Sequence, residues 1–231
     1  MSPAHATAPA IFRKLAYDTL RDFAPVTLIG DGPALLVVPN DLKVRNVADL
    51  VAMAKAKPGS MSYSSAGVGS SSHFAAELLR TQAGIELVNI PFKSIGEALT
   101  EVIAGRVQFH IAPYISAIRL AKEGKLRALA VTGKRRIADL PDVPTVAESG
   151  LPGYEWTFWY GLLVSAKTPG PVVEQLHRDL SGLLKLPDIQ RQLAVMGVDV
   201  SAGTPAEFRQ LIEGEVAKYA RIAKLANIQP D

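Results

Sequence analysis

Cysteine is absent from this chain of 231 residues. Its absence excludes a disulfide framework, a thiolate nucleophile and a cysteine-ligated metal. It does not distinguish an oxidising from a reducing compartment. Long apolar runs are lacking too, since the run at residues 34–38 ends at Pro39, far short of the roughly 20 residues that span a bilayer. The sequence therefore predicts a globular protein that does not insert directly into a membrane.

The chain also lacks a large excess of either sign of charge. The formal net charge is +3, and only Lys134, Arg135 and Arg136 form a short basic cluster, which is typical of a solvated loop. We therefore expect no nucleic-acid partner. The four histidines are scattered along the chain, so we expect no metal site and no cofactor.

The first nine residues lack the basic start and the apolar centre of a secretory signal. As written, the chain carries no export signal. The small residues here lead directly into residues 11–15, so we expect no upstream segment to supply a first strand.

Strand-like and helix-like segments alternate along the chain, which is typical of an α/β fold with mainly parallel strands. Residues 25–29 and 34–38 read as two strands or as one interrupted strand, because Asp31, Gly32 and Pro33 separate them. The alternation continues to about residue 132. A stretch rich in Pro and Gly, residues 140–154, then marks a change of domain or a hinge.

Small and hydroxyl residues at positions 63–72 run directly into a helical pattern. Gly67 and Gly69 permit close backbone approach, and the first turn of a helix offers unpaired N–H groups to an anion. Ser70, Ser71 or Ser72 can cap that helix. Two interpretations stay open: an anion-binding turn, or a βα turn rich in Gly and Ser that binds nothing.

Five segments together resemble the solute-binding proteins of tripartite tricarboxylate transporters, the Bug family. They are YDTLRDFAPVTL at 17–28, AKAKPG at 54–59 followed by SSAGVGSSSH at 64–73, GKLRALAVT at 124–132, and LPDVPTVAESGLPGY at 140–154. The resemblance covers nearly the whole chain. It implies a Venus-flytrap receptor of the periplasmic-binding-protein type, which is not an enzyme, with two α/β domains that close on a small carboxylate and deliver it to membrane permease subunits.

The resemblance also implies the domain boundaries. Residues 37–155 form one α/β domain, and residues 1–36 plus 156–231 form the other. The chain departs from the family at its start, where the signal and a first β-α-β unit are missing, so the second of these domains is expected to be incomplete. A misplaced start codon, a degraded gene or a fragment would each explain this, and residues 2–6 are interpreted as the remnant of a loop.

The candidate ligand-binding residues combine the Gly-Ser turn with positions near the cleft that the family resemblance implies: Ser65, Ala66, Gly67, Gly69, Ser70, Ser71, His73, Lys93, His110 and Trp159. His110 stands near where family members often carry an acidic residue followed by Asn. A cationic ligand such as an amino acid would lose its counter-charge there, whereas a dicarboxylate or an aromatic acid stays acceptable. The alternative is a satisfied histidine at a strand end.

Three other candidates also have structural alternatives. His73 either shapes the turn by hydrogen bonding or contacts the ligand. Lys93 is either a point charge for a carboxylate or a solvated side chain. Trp159 is either an apolar wall of the cleft or a core aromatic residue.

Two rival functions are weighed against the receptor. A serine hydrolase with Ser65 or Ser70 as nucleophile and His73 as base is disfavoured, because the chain lacks a G-x-S-x-G elbow and the Ser70–His73 pair comes from one element. A soluble cytoplasmic homologue that senses a metabolite would fit the missing signal. The family resemblance instead implies a periplasmic protein.

Overall fold

The computed structural model describes residues 3–228. Its strands are β1 (Phe23–Val38), β2 (Met61–Ser65), β3 (Leu87–Pro91), β4 (Phe109–Pro113), β5 (Arg127–Val131), β6 (Thr157–Ser165) and β7 (Asp199–Val200). Its helices are α1 (Ala4–Ile11), α2 (Val47–Ala56), α3 (Ser71–Ala83), α4 (Ile95–Ile103), α5 (Tyr114–Lys122), α6 (Gly170–Leu183), α7 (Pro187–Val195) and α8 (Pro205–Leu225). No helix in this range is long and apolar enough to cross a membrane.

The backbone divides into two compact units. Unit 1 joins the chain up to Gly32 to the chain from Phe158 onward, and unit 2 is Pro33–Thr157. Strand β1 contributes to both units, since the boundary at Gly32 falls within it.

Unit 2 is built on a sheet with the strand order β3-β2-β4-β1-β5. Strand β2 pairs in parallel with β3 and β4, whereas β1 runs antiparallel to β4 and β5. The carboxyl ends of β2, β3, β4 and β5 therefore meet at one edge of the sheet. Ligands of open α/β sheets bind beyond this edge, which makes the loops that follow these strands the place to look for a site.

An apolar cluster fills one face of this sheet. It joins side chains of β1 and β4 to α4 and α5, with Leu35, Leu99, Val102, Ala117 and Ile118 among its members. Helix α4 begins at its N-cap Ser94, whose hydroxyl accepts the Glu97 N–H. Helices α4 and α5 cover this face of the sheet by packing their apolar residues against it.

Unit 1 packs α1 against α8. Helix α8 opens with a complete capping box, in which Thr204 and Glu207 satisfy each other's backbone N–H groups, and it buries Phe208, Ile212 and Tyr219. The Phe208 ring packs edge-on against Trp159 with the centroids 5.7 Å apart. Helices α6 and α7 contain no buried residue.

Two local expectations differ from the structure. The loop interpretation of the N-terminal small residues is wrong, because Ala4–Ile11 is a helix that buries Ala6, Thr7, Ala8 and Ile11. Packing on α8 overrides the weak local preference of this segment, which includes Pro9 inside the helix. The Asp31-Gly32-Pro33 stretch does not interrupt the strand, and β1 runs continuously for 16 residues.

Candidate functional site

The turn between β2 and α3 lies at the carboxyl edge of the unit 2 sheet. Gly67 and Gly69 adopt positive φ values of 101° and 79°, which bulkier residues rarely tolerate. Ser70 then caps α3, since its Oγ accepts the His73 N–H at 3.3 Å. The chain thus leaves a buried strand and enters a helix through a turn with two positions, Gly67 and Gly69, whose conformation favours glycine.

Hydrogen bonds within the turn hold its shape. The Ala66 N–H donates to Ser72 Oγ at 3.0 Å, and the Gly69 N–H donates to His73 Nδ1 at 3.0 Å. Ser65 Oγ donates to the Gly67 carbonyl at 3.3 Å. These bonds stabilise the conformation of the turn.

Four N–H groups of the turn have no hydrogen-bond partner within residues 3–228: those of Gly67, Val68, Ser71 and Ser72. They lie at the positive end of the α3 dipole. Unpaired N–H groups at such a position favour an anion with several acceptor oxygens, such as a carboxylate.

The acceptor role of Nδ1 settles the state of His73. Because Nδ1 accepts the Gly69 N–H, the proton of the neutral ring sits on Nε2. Burial lowers the pKa of His73 below its usual value, and the nearby Glu77 carboxylate opposes this shift. His73 is therefore hydrogen-bonded to the backbone of the turn through Nδ1.

A serine–histidine catalytic pair is not formed in the turn. Ser70 Oγ bonds to the backbone N–H of His73, and the ring nitrogen Nδ1 is occupied by Gly69. The described residues also contain no group of three or more His, Cys, Asp and Glu side chains that could hold a metal ion.

His110 lies on β4, directly beside Ser64 of β2. Its Nδ1 is 2.7 Å from the Ser64 carbonyl, which can only accept, so Nδ1 carries the proton. Nε2 is buried without a hydrogen-bond partner among the described residues. Burial lowers the pKa of His110 to about 4, so the residue is neutral at pH 7 and adds no positive charge to the site.

The remaining predicted residues, Lys93 and Trp159, lie outside the turn in the sequence. Lys93 follows β3 at the same sheet edge and is exposed, and its neighbour Phe92 donates its N–H to the Ser65 carbonyl at 2.9 Å. Trp159 belongs to unit 1. Its indole donates to Glu215 Oε2 at 3.1 Å, and the side chain is buried.

The structure thus brings together one compact set of the predicted residues: Ser65, Ala66, Gly67, Gly69, Ser70, Ser71 and His73. His110 connects to this set through Ser64, the neighbour of Ser65. Lys93 shares the sheet edge but has no hydrogen bond to the turn in the described chain.

Two features near the turn escaped the sequence analysis. Trp156 Nε1 donates to Ser71 Oγ at 3.1 Å across 85 positions. Beneath α3, the buried Glu77 carboxylate accepts from Tyr63 at 2.5 Å and from Arg80 at 2.7 Å. The Glu77–Arg80 pair could have been recognised in the sequence, because residues spaced i,i+3 are neighbours on a helix. The Trp156–Ser71 contact could not, because its residues are far apart in the sequence.

Comparison with known proteins places the chain in a family. Residues 1–228 match the family model described as the tripartite tricarboxylate transporter family receptor, TctC. A protein of Pseudomonas sp. strain P51, encoded in the tcbD-tcbE intergenic region, is 34% identical over 91% of this chain and 63% of its own length. A protein of Agrobacterium vitis is 34% identical over 94% of this chain and 64% of its own length. The chain therefore spans a little under two thirds of these curated relatives.

Solved structures match the fold of the chain. A protein of R. palustris, solved with adipate, superposes with a TM-score of 0.92 at 31% identity and covers all of this chain and 78% of its own. The periplasmic binding protein BugD gives a TM-score of 0.89 at 27% identity with the same coverage. MatC from Rhodopseudomonas palustris with bound malate gives 0.86 at 28%, over 96% of this chain and 76% of its own. By the family match along its length, this chain belongs to the tripartite tricarboxylate transporter receptor family and has its α/β periplasmic-binding-protein fold.

Proposed function

We propose that this protein is a solute-binding receptor that captures a small carboxylate through the β2–α3 turn. The observation that carries the proposal is the set of unpaired N–H groups at Gly67, Val68, Ser71 and Ser72, in a member of this receptor family. A carboxylate supplies two oxygens with several lone pairs, which match several converging donors.

The ligand class follows from the neighbours and from the charges of the turn. Adipate and malate, the ligands of two similar structures, are both dicarboxylates. A neutral His110 and a neutral His73 leave the turn to recognise the anion through N–H groups and hydroxyls rather than through a cation. We therefore propose a dicarboxylate, with Ser65, Ala66, Gly67, Gly69, Ser70, Ser71 and His73 forming its binding turn.

The roles of the other candidates are also proposals. Lys93 is exposed at the same edge and would attract the anion as a point charge. His110 would act through Ser64 by holding β2 and β4 together beside the turn. Trp159 would stabilise its own unit through its bond to Glu215, and its role in ligand binding stays a prediction. The predicted domains, residues 37–155 and residues 1–36 plus 156–231, would be the two halves of the receptor.

The transport role follows from the family. We propose that the receptor works in the periplasm and hands its ligand to membrane permease subunits, without chemical change of the ligand. Family membership favours this role over the cytoplasmic sensor and the serine hydrolase.

Isothermal titration of the protein with adipate and with malate tests the proposal. We expect saturable binding of one or both, no binding of adipamide, which keeps the adipate skeleton without its charges, and weaker binding of glutamate. The ligand should be recovered unchanged after incubation. Equal binding of adipate and adipamide, or no binding of any dicarboxylate, would rule out the proposed recognition.

A further inference from the structure

Trp156 reaches the first residue of α3 from a distant part of unit 2. Its indole Nε1 lies 3.1 Å from Ser71 Oγ, and both side chains are buried. An indole N–H can only donate, so the Ser71 hydroxyl accepts this bond and keeps its own proton for another acceptor. The contact therefore orients Ser71 as a donor within the anion-binding turn.

The backbone of Trp156 is held in turn by Thr132, which follows β5. The Trp156 N–H donates to the Thr132 carbonyl at 2.9 Å, and Thr132 Oγ1 donates to the Trp156 carbonyl at 2.7 Å. The same Oγ1 accepts the Ala34 N–H at 2.8 Å. One fully buried hydroxyl thus binds two segments that are far apart in the sequence.

These two segments are the places where the chain passes between the units. The boundaries fall after Gly32 and after Thr157, so Ala34 and Trp156 each lie one residue inside unit 2. The bonds form a continuous series from Ser71 through Trp156 and Thr132 to Ala34, which we call the crossing relay. Its members all belong to unit 2.

We propose that Trp156 and Thr132 are positioning residues for the carboxylate-binding turn, and that the crossing relay ties this turn to both chain crossings. The proposal rests on the proposed function of the turn. A turn whose donors must converge on a small anion gains affinity when its geometry is fixed in advance. Trp156 fixes the start of α3, and Thr132 fixes Trp156.

A double-mutant cycle on adipate binding tests the role of Trp156. Trp156→Phe keeps most of the buried ring and removes the indole N–H, so affinity should fall about five- to tenfold, the effect of one lost hydrogen bond. Because Trp156 acts through Ser71, the same change should have almost no effect on affinity in a Ser71→Ala background. An equal loss in both backgrounds would overturn the proposal, since it would mark a purely structural role.

Tyr154→Phe is the matched control. Tyr154 also donates from this segment to α3, but its hydroxyl bonds to the Ala75 carbonyl, about one turn beyond Ser71, at 2.9 Å. We expect this variant to lose stability much as Trp156→Phe does while its adipate affinity stays within about twofold of the wild type. A loss of affinity as large as that of Trp156→Phe would overturn the specific role of the relay.

Hydrogen exchange of the ligand-free protein separates this inference from the proposed function. In Trp156→Phe and in Thr132→Val, amides of residues 65–73 should exchange faster than in the wild type, and in Tyr154→Phe they should not. Unchanged exchange in the first two variants would refute the relay even if the wild type binds adipate. Faster exchange in these two variants, together with a wild type that binds no dicarboxylate, would support the relay and refute only the proposed function.

Discussion

His110 is a buried histidine with only one of its two ring nitrogens hydrogen-bonded within residues 3–228. His110 donates from Nδ1 to Ser64, while its Nε2 lies in the interior without a partner in the described chain. Its cross-strand neighbour Val37 belongs to the apolar cluster under α4 and α5. A charged ring is costly to bury here, so the folded protein favours the neutral form.

This preference predicts a pH dependence of stability. Burial lowers the pKa of folded His110 from 6.5 to about 4, so the unfolded chain takes up the proton first and the free energy of unfolding falls as pH drops below 6.5. At pH 5 the contribution lost is about 2 kcal/mol relative to pH 8.

The measurement is urea unfolding of the wild type and of His110→Asn, whose amide can keep the bond to the Ser64 carbonyl, at pH 8 and pH 5. We expect the variant to lose about 2 kcal/mol less than the wild type between these pH values. The comparison cancels the contributions of His5 and His73, whose pKa values burial also lowers. An identical loss in both proteins would contradict the assignment of a neutral buried ring.

At the scale of elements, β1 shows how long-range packing overrides local signals. Asp31, Gly32 and Pro33 are typical turn residues, yet they lie within one continuous strand. The backbone of residues 197–199 approaches so closely that a Cβ on Gly32 would lie 2.1 Å from the Gly197 carbonyl oxygen. The missing side chain of Gly32 therefore permits close pairing of β1 with β7, and Gly32 does not mark a turn.

Gly32→Ala should therefore destabilise the protein by about 1–3 kcal/mol, since backbone rather than a flexible side chain must give way. Gly182→Ala in α6 is the control, because nothing lies within 4 Å of its added Cβ and alanine is the better helix former. Chemical denaturation measures the change in the free energy of unfolding for both variants. Equal stability of the two would show that the close approach at Gly32 is absent in solution.

Elements with local signals were predictable from the sequence. Helix α3 begins after the Ser70 cap and is ended by Gly84 in the left-handed conformation, so the helix predicted to follow the turn of small residues is confirmed. The compact turn of small residues was predicted for the same reason. Three features were not predictable, because each depends on contacts between distant segments. They are the continuity of β1, helix α1 and the Trp156–Ser71 bond.

For the whole molecule, we propose that this member of the receptor family holds a carboxylate on the backbone of the β2–α3 turn. Affinity would then depend on close approach to Gly67 and Gly69 rather than on a cationic side chain. A side chain on either glycine would block the anion without removing any hydrogen-bonding group.

Adipate titration of Gly67→Val beside Gly150→Val measures this dependence on close approach. Both glycines have a φ of 101°, so valine introduces the same kind of backbone strain at each, but only Gly67 lies in the turn. Gly69→Val and Gly153→Val, at φ values of 79° and 80°, form a second matched pair. We expect at least a tenfold loss of adipate affinity in the two turn variants and affinity within about twofold of the wild type in the two controls. Wild-type affinity in both turn variants, with the proteins folded, would contradict it.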